Sequence, residues 1–329
     1  MSPLFGRRRS GGQARDPQAI EQQARRDAES LARLEQGRIP LAASERLAEL
    51  AQATGDGETP AFSSDLSVSE FAVLRRVGLQ PIALVMGSSI YHVGWQNVYY
   101  DAPTEFETVS HAYNEARRLA LGRLYEEALT AAADAVVGVR IRQGGHDWAA
   151  GAVEFIAVGT AVRLPPALRG DAPVLTDLDG QELWQLLASG IRPVGVVAAT
   201  SVHYAPAGPQ TVQAMSGVFG SSWRNMELRD YTQGVYAARA KAMAAVRQQA
   251  QSIGAEGIVG VQISQQLRGH HVARLGLDRE DLIVTLHVIG TAVREDPSLP
   301  RGAEPPRTIM SLGARIAAAG PLRAASAGP

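Results

Sequence analysis

The sequence contains no cysteine among its 329 residues. This absence excludes disulfide bonds, thiolate-bound zinc, iron–sulfur clusters and cysteine nucleophiles. A chain without cysteine fits a reducing compartment, and we expect a cytoplasmic protein.

Long apolar runs and an excess of one charge are also lacking. No run approaches the roughly 18 residues that a membrane span requires. The basic residues 7–9 are followed by Ser-Gly-Gly-Gln, where a signal peptide would need an apolar stretch. The formal net charge is only −1, so no overall field favours nucleic acid. We therefore predict no membrane span and no nucleic-acid partner.

Recognisable catalytic motifs are missing as well. The sequence has no Gly-x-Ser-x-Gly nucleophile elbow, and its glycines at 217 and 220 do not form a phosphate-binding fingerprint. We therefore predict that the protein is not an enzyme. An enzymatic site formed between subunits remains an alternative on general grounds alone.

What the chain does contain is an internal repeat. Three blocks recur in the same order, and the last of them recurs letter for letter as Gly-Thr-Ala-Val-Arg. The matching blocks are 78–81 with 190–193, 133–141 with 255–263, and 159–163 with 290–294. Because three collinear matches are far less probable than one, they indicate a duplicated domain.

Each copy begins with a short helix and a strand. Ser67 with Glu70, and Asp179 with Glu182, have the spacing of a capping box. A glycine and then a proline follow each helix and precede a β-branched run. The strands predicted there are 82–90 in the first copy and 194–202 in the second.

Each copy continues with a long helix and two strands. Alanines at intervals of three and four residues predict helices over 112–132 and 234–253, with a face able to lie close to a sheet. The strands that follow should form antiparallel hairpins, because their connections are too short for a crossover. They are 136–142 and 153–162, joined by a glycine-bearing turn, and 258–264 and 282–293, joined by a longer polar connection.

The repeat defines the predicted domain organisation, which is α+β with two tandem copies of a two-layer β-α-β-β domain. A helical N-terminal extension, broken near Gly37 to Pro40, precedes the copies, and a Pro-, Ala- and Arg-rich tail expected to be disordered follows them. Either tail could bind a protein partner. The predicted segments are 1–65 for the extension, 66–163 for copy one, 164–178 for the linker, 179–294 for copy two and 295–329 for the tail.

The repeated blocks resemble the YbjQ family, also called UPF0145 or DUF74, whose label proposes heavy-metal binding. The resemblance rests on Gly-Ala-Glu-Gly-Ile-Val-Gly-Val at 254–261, its counterpart at 132–139, the Gly-Thr-Ala-Val strand ends, and Tyr231-Thr232 through Arg239. It implies a dodecin-like domain that assembles into rings, commonly pentamers. Both copies depart from the family in the loop before the long helix, which is missing from copy one and replaced by 206–229 in copy two.

Histidines are the strongest candidate metal ligands. His270 and His271, together with His146 and Asp147 in the equivalent hairpin turn, could hold a divalent transition metal such as Zn, Ni or Cu(II). The alternative is that they are polar turn residues, since neighbouring residues of an extended chain point to opposite sides. His287 lies within an apolar strand and is predicted to be a hydrogen-bonded core or interface histidine.

Aromatic residues occur in the loops of both copies, and they could stack a planar ligand, anchor a partner or cover a small core. They are Trp95, Tyr99, Tyr100, Phe219 and Trp223.

Small sheets leave edges and faces to be covered. The strands 194–202 and 283–293 are apolar on both faces, but each copy has only one long helix to cover them. The sister copy, the N-terminal helices or another chain must supply the rest. We therefore predict a homo-oligomeric binding or assembly protein, with histidine-based metal binding as the alternative.

Overall fold

The computed structural model describes residues 17–55, 62–94, 102–145, 151–215, 225–274 and 277–299. The helices in this part of the chain are α1 (Pro17–Glu35), α2 (Leu41–Gly55), α3 (Val68–Arg76), α4 (Glu107–Thr130), α5 (Gly180–Ala188), α6 (Pro209–Met215) and α7 (Arg229–Ser252), with a short 3-10 helix at Pro166–Leu168. The strands are β1 (Gln80–His92), β2 (Thr104–Glu105), β3 (Ala135–Gly145), β4 (Ala152–Arg163), β5 (Val174–Leu175), β6 (Ile191–Ala205), β7 (Gly257–Arg274) and β8 (Leu277–Glu295).

The two copies share one topology, which confirms the predicted fold. Their sheets run β1-β4-β3-β5 and β2-β6-β8-β7, so the strand-helix-hairpin unit has the same antiparallel order in each. Register shifts also recur at matching places, after Pro81 in β1 and Pro193 in β6, and after Val137 in β3 and Val259 in β7. Both capping boxes of α3 and α5 are formed as predicted.

Alanine allows each long helix to lie close to its own sheet. Ala116, Ala120 and Ala128 of α4 are fully buried against β1 and β4, and Ala238 and Ala242 of α7 are buried against β6 and β8. Both helices begin five residues before the predicted position. The extra turn of α4 carries Ser110, which contacts the sister copy, whereas that of α7 carries Asp230 and Tyr231, which contact its own copy.

The hairpin of copy two is longer than predicted. Residues 265–281, expected as a polar connection, instead extend β7 and β8 to Arg274 and Leu277. Histidines face carboxylates across this extension, with His271 opposite Glu280 and His270 opposite Asp281. Cross-strand pairs of this kind stabilise a ladder without an apolar pattern.

The N-terminal extension forms two helices separated at residues 36–40, as predicted. It is anchored to copy one through Ile39 and Leu47, which pack on Ala131, and through the Glu126 carboxylate, which accepts a hydrogen bond from the Ile39 N–H at 2.7 Å. The extension therefore covers one end of α4.

Segments expected to lie outside the two domains also contribute to the core. In the predicted linker, β5 pairs in parallel with β3. In the predicted tail, Leu299 is buried in a cluster with Trp184, and Asp296 forms an ion pair with Arg192 at 2.5 Å. Residues 295–299 are thus ordered by packing. The rest of the tail lies outside the described residues.

Candidate functional site

The two copies meet where copy one covers the edge of β6. Thr104 and Glu105 form the short strand β2, which pairs with Tyr204 and His203 of copy two. The next residue, Phe106, donates its N–H to the Val202 carbonyl at 2.8 Å. Copy one therefore supplies the outermost strand of the second sheet.

Side chains of α4 continue this coverage along β6. The Ser110 hydroxyl accepts a hydrogen bond from the Val202 N–H at 2.9 Å. The Asn114 side chain accepts from the Thr200 N–H at 2.9 Å and donates to the Thr200 carbonyl at 2.8 Å. A carboxamide thus replaces a neighbouring strand, which protects an edge that would otherwise expose backbone groups.

The corresponding edge of copy one is not covered in this way. Within the described residues, β1 ends its sheet and no strand lies beyond it. On β6, Ala198 and Val202 are 7% and 0% exposed, whereas Met86 and Ile90, at the matching positions of β1, are 49% and 57% exposed. The matched side chains are therefore covered on β6 and exposed on β1, while the Met86 N–H and the Ser88 carbonyl of β1 bind Glu127 and Arg123 of α4.

The covering segment also has a counterpart in copy two, with different side chains. Counterparts of Thr104 and Asn114 in copy two are Met226 and Tyr236, which are 49% and 64% exposed. Phe106 and Leu228 precede α4 and α7 with nearly the same backbone angles, φ −81° and ψ 77° against φ −84° and ψ 83°. The segment before α7 is thus shaped like the one that binds β6.

A polar cluster lies within the interface between the copies. The guanidinium of Arg117, on α4, donates to the Thr200 hydroxyl and to the Asn114 side chain. The Thr200 hydroxyl also lies 2.7 Å from Nδ1 of His287. Burial lowers the pKa of Arg117 to about 10, and burial and the Arg117 charge lower the pKa of His287 to about 4. At neutral pH this histidine is therefore uncharged.

The prediction for His287 is thus met at one ring nitrogen only. Nδ1 has a partner, whereas Nε2 is buried and has none among the described residues. Sequence reasoning missed Arg117 and Asn114. One signal was available, since Arg117 and Arg239 occupy the same position in the two alanine-rich helices.

The structure describes two of the four candidate metal ligands, so the predicted site stays a prediction. His270 and His271 lie on β7 rather than in a turn, and Nδ1 of His271 is 3.7 Å from the Glu280 carboxylate. His146 and Asp147 lie outside the described residues. Within the described part of the chain, no three histidine or acidic side chains are grouped as metal ligands.

The acidic residue opposite His270 has a structural role. Asp281 is fully buried and accepts hydrogen bonds from the Tyr204 hydroxyl, from the Ala207 N–H at 2.8 Å and from Arg279 Nε at 3.1 Å. Burial and the Asp281 carboxylate together raise the pKa of Tyr204 to about 12. These contacts join the end of β6 to the hairpin of copy two.

The loop aromatics at 95, 99, 100, 219 and 223 lie outside the described residues. None of the helices in the described part of the chain is both long and apolar enough to cross a membrane.

Comparison with known proteins connects both copies to one family. The family model YbjQ_1, described as "Putative heavy-metal-binding", matches residues 85–165 and 189–296, more than half of the chain. No solved structure matches the chain.

Among curated proteins, the chain is 38% identical over 245 residues to the encapsulin nanocompartment protein Rv1762c of Mycobacterium tuberculosis, covering 72% of this chain and 87% of that protein. A UPF0145 protein of Methanococcus maripaludis is 37% identical over 91 residues, which is 25% of this chain and 77% of that protein. A UPF0145 protein of Clostridium perfringens is 40% identical over 58 residues, which is 18% of this chain and 53% of that protein. The two regions that match the family model coincide with the two copies of one fold in the structure. This chain therefore belongs to the YbjQ family and carries its domain in tandem.

Proposed function

We propose that the protein is a non-enzymatic assembly protein whose chains associate head to tail through the surfaces that join its own two copies. The observation that carries this proposal is the difference in burial at matched positions. Met86 and Ile90 of β1 are bare where Ala198 and Val202 of β6 are covered. A second chain can cover them with the α7 surface, as α4 covers β6.

The internal interface supplies the template for this contact. Met226 and Glu227 would pair with the Tyr91–His92 end of β1 in the next chain, as β2 pairs with β6. Tyr236 would lie over Met86 and Ile90. The contact buries several of the large exposed apolar side chains of the molecule, which supports association by the hydrophobic effect.

The geometry also constrains the assembly. A contact between different surfaces of identical chains repeats until a ring closes or a filament forms. Because the two copies of one chain already occupy adjacent positions, a ring built of whole chains contains an even number of copies. A ring of five copies, as the family resemblance implies, therefore cannot be built from whole chains that place both copies in the same ring.

The name of the Mycobacterium tuberculosis relative, an encapsulin nanocompartment protein, supports an assembly role. We place this assembly in the cytoplasm.

Native mass spectrometry and light scattering test the proposal. The wild-type protein should have a mass of at least twice the 34.9 kDa of one chain. Ile90→Glu and Tyr236→Glu should each yield single chains, because a charge without a partner is placed in an apolar contact. Val68→Glu is the matched control, since Val68 is 87% exposed on α3 and lies on neither surface.

A mixture of the two variants tests whether the two surfaces bind each other. The Ile90→Glu chain retains its α7 surface and the Tyr236→Glu chain retains its β1 surface, so together they should form a complex of two chains and stop there. A wild-type mass of 34.9 kDa at every concentration, or equal effects of Val68→Glu and Ile90→Glu, would contradict the proposal.

Histidine-based metal binding is the second candidate, favoured by the description of the family and by the His271–Glu280 pair. His146 and Asp147, with His270 and His271, are the proposed ligands. Elemental analysis of purified protein tests it. Stoichiometric Zn, Ni or Cu that is lost when the three histidines are replaced by alanine would support it, and the absence of metal would contradict it.

A further inference from the structure

A cavity of about 450 Å³ lies between the two copies. Its walls come from β3 and Arg117 of copy one and from β7 and β8 of copy two. Three of the lining residues carry charge, and all three are arginines: Arg117, Arg140 and Arg142. No acidic side chain is among the described residues that line it. Arg140 is paired with Asp65 at 3.7 Å, so Arg117 and Arg142 supply most of the positive charge of the cavity.

Arg117 is the most deeply buried of the three arginines. Its residue is 4% exposed, and its guanidinium has five N–H donors, two of which bind Thr200 and Asn114. Both partners are uncharged, and no carboxylate lies within ion-pair distance among the described residues. Its Cζ atom is 5.9 Å from the ring centre of Phe155. A buried charge is normally paired with an opposite one, and here the opposite charge is missing.

His287 adds a directional donor to the same cavity. The Thr200 hydroxyl accepts from Arg117, so its own proton is available for Nδ1 of His287. A neutral imidazole that accepts at Nδ1 carries its proton at Nε2. This Nε2 has no partner among the described residues although it is buried. His287 therefore carries an unbonded N–H group and, like Arg117, lines the cavity.

A second lining residue also has an atom without a partner. Oε1 of Gln143 is buried and unbonded among the described residues, while the Gln143 side chain hydrogen-bonds Tyr113. Buried polar atoms of native proteins are almost always satisfied by protein, water or ligand. A buried guanidinium without a counter-charge and two unsatisfied atoms, one on His287 and one on Gln143, therefore indicate an occupant.

We propose that this cavity between the copies binds a small organic anion, with Arg117 as the counter-charge to its carboxylate or phosphate group and His287 as a hydrogen-bond donor to it. The volume is in the range of small-molecule sites, about 300–1,000 Å³, and exceeds what a bare inorganic ion needs. Arg142, exposed on β3, attracts the anion to the entrance. Because every group belongs to one chain, the site does not depend on assembly.

Isothermal titration calorimetry at constant ionic strength tests the proposal, with inorganic phosphate and succinate as separate probes. Binding of either one supports the site, and the preferred probe identifies the phosphate or carboxylate class. Mass spectrometry of the purified protein under native conditions should also detect any acid that co-purifies.

The variants are chosen so that folding can be monitored separately. Arg142→Glu reverses an exposed charge at the entrance and should weaken binding, whereas Arg76→Glu makes the same change on α3 and should not. His287→Ile introduces the residue found at the matching position of copy one, Ile156, and removes the N–H donor. Since a hydrogen bond to a charged group is worth about 1.5–3 kcal/mol, this variant should bind about ten- to a hundredfold more weakly.

Arg117→Gln should abolish binding, provided that its circular dichroism spectrum shows a folded chain. The proposal is overturned if neither probe binds the wild-type protein at millimolar concentration. It is equally overturned if Arg142→Glu and His287→Ile bind as tightly as the wild-type protein.

Discussion

At the scale of single residues, the interface between the copies depends on a few polar side chains in an apolar setting. Asn114 satisfies both backbone groups of Thr200, and the Thr200 hydroxyl connects Arg117 to His287. Leaving a buried polar group unsatisfied costs about 1–3 kcal/mol, so each of these contacts matters to the pairing of the copies. The cluster fixes how the two copies are placed relative to each other.

His287 should make the protein less stable in mild acid. Its pKa is about 4 in the folded protein against 6.5 in its ordinary state, so the unfolded chain binds the proton more readily between these values. The free energy of unfolding should therefore fall as pH decreases from 6.5 to 4, by at most about 3 kcal/mol from this residue.

Urea denaturation at several pH values, compared between the wild-type protein and His287→Ile, measures this contribution. The variant should lose less stability than the wild-type protein over that pH range, because other titrating groups are common to both. Parallel curves would show that His287 does not titrate on unfolding as described.

At the scale of elements, the long helices lie so close to their sheets that single methyl groups matter. A Cβ atom added at Gly87 of β1 would lie 2.0 Å from the Ala120 carbonyl oxygen and 2.5 Å from the Leu124 nitrogen. Gly122, on the exposed side of α4, has nothing within 4 Å of an added Cβ, and its counterpart in copy two is Ala244. Two glycines near one helix therefore have opposite roles.

Alanine at these positions should change stability in opposite directions. Gly122→Ala should raise the free energy of unfolding by about 0.5–1 kcal/mol, since glycine is a poor helix former. Gly87→Ala should lower it by about 1–3 kcal/mol or more, because α4 must move away from β1. Chemical denaturation of both variants checks this. A stable Gly87→Ala protein would mean that α4 can shift at little cost.

At the scale of the whole molecule, the two copies form one cooperative structure. The core cluster around α4 includes Val202, Tyr204 and Ile283 of copy two. Trp184 of α5, also in copy two, packs in a cluster with Leu74 and Val162 of copy one. Hydrophobic contacts of this kind across the boundary make separate unfolding of one copy costly.

We therefore expect a single unfolding transition for the full chain. A protein that retains Trp184 as its only tryptophan should give the same urea midpoint by fluorescence as by far-ultraviolet circular dichroism. The three other tryptophans, at 95, 148 and 223, are replaced by phenylalanine for this measurement. Two separate midpoints would show that the copies unfold independently.

Local patterns were sufficient to predict the helices and strands that the two copies share and their order, whereas β2, β5 and α6 were not predicted. These patterns depend only on residues that are close together in the chain: the capping boxes, the alanine periodicity and the glycine and proline that end the short helices. The structure has helices and strands at those places. The hairpin of copy two was the exception, because pairing between polar strands depends on the opposite strand and not on an apolar pattern. The proposed metal ligands could not be assessed fully, since His146 and Asp147 lie outside the described residues.

The sequence by itself determined that this protein is a duplicated α+β domain, because repeated letters and short-range periodicity are properties of the chain alone. The tertiary structure decided how the copies meet, which edge is covered and which groups surround the cavity. Those properties depend on pairs such as Arg117 and Thr200, or Asp177 and Thr291, which are 83 and 114 residues apart. No local pattern specifies such contacts, because they form only when segments far apart in the chain are packed together.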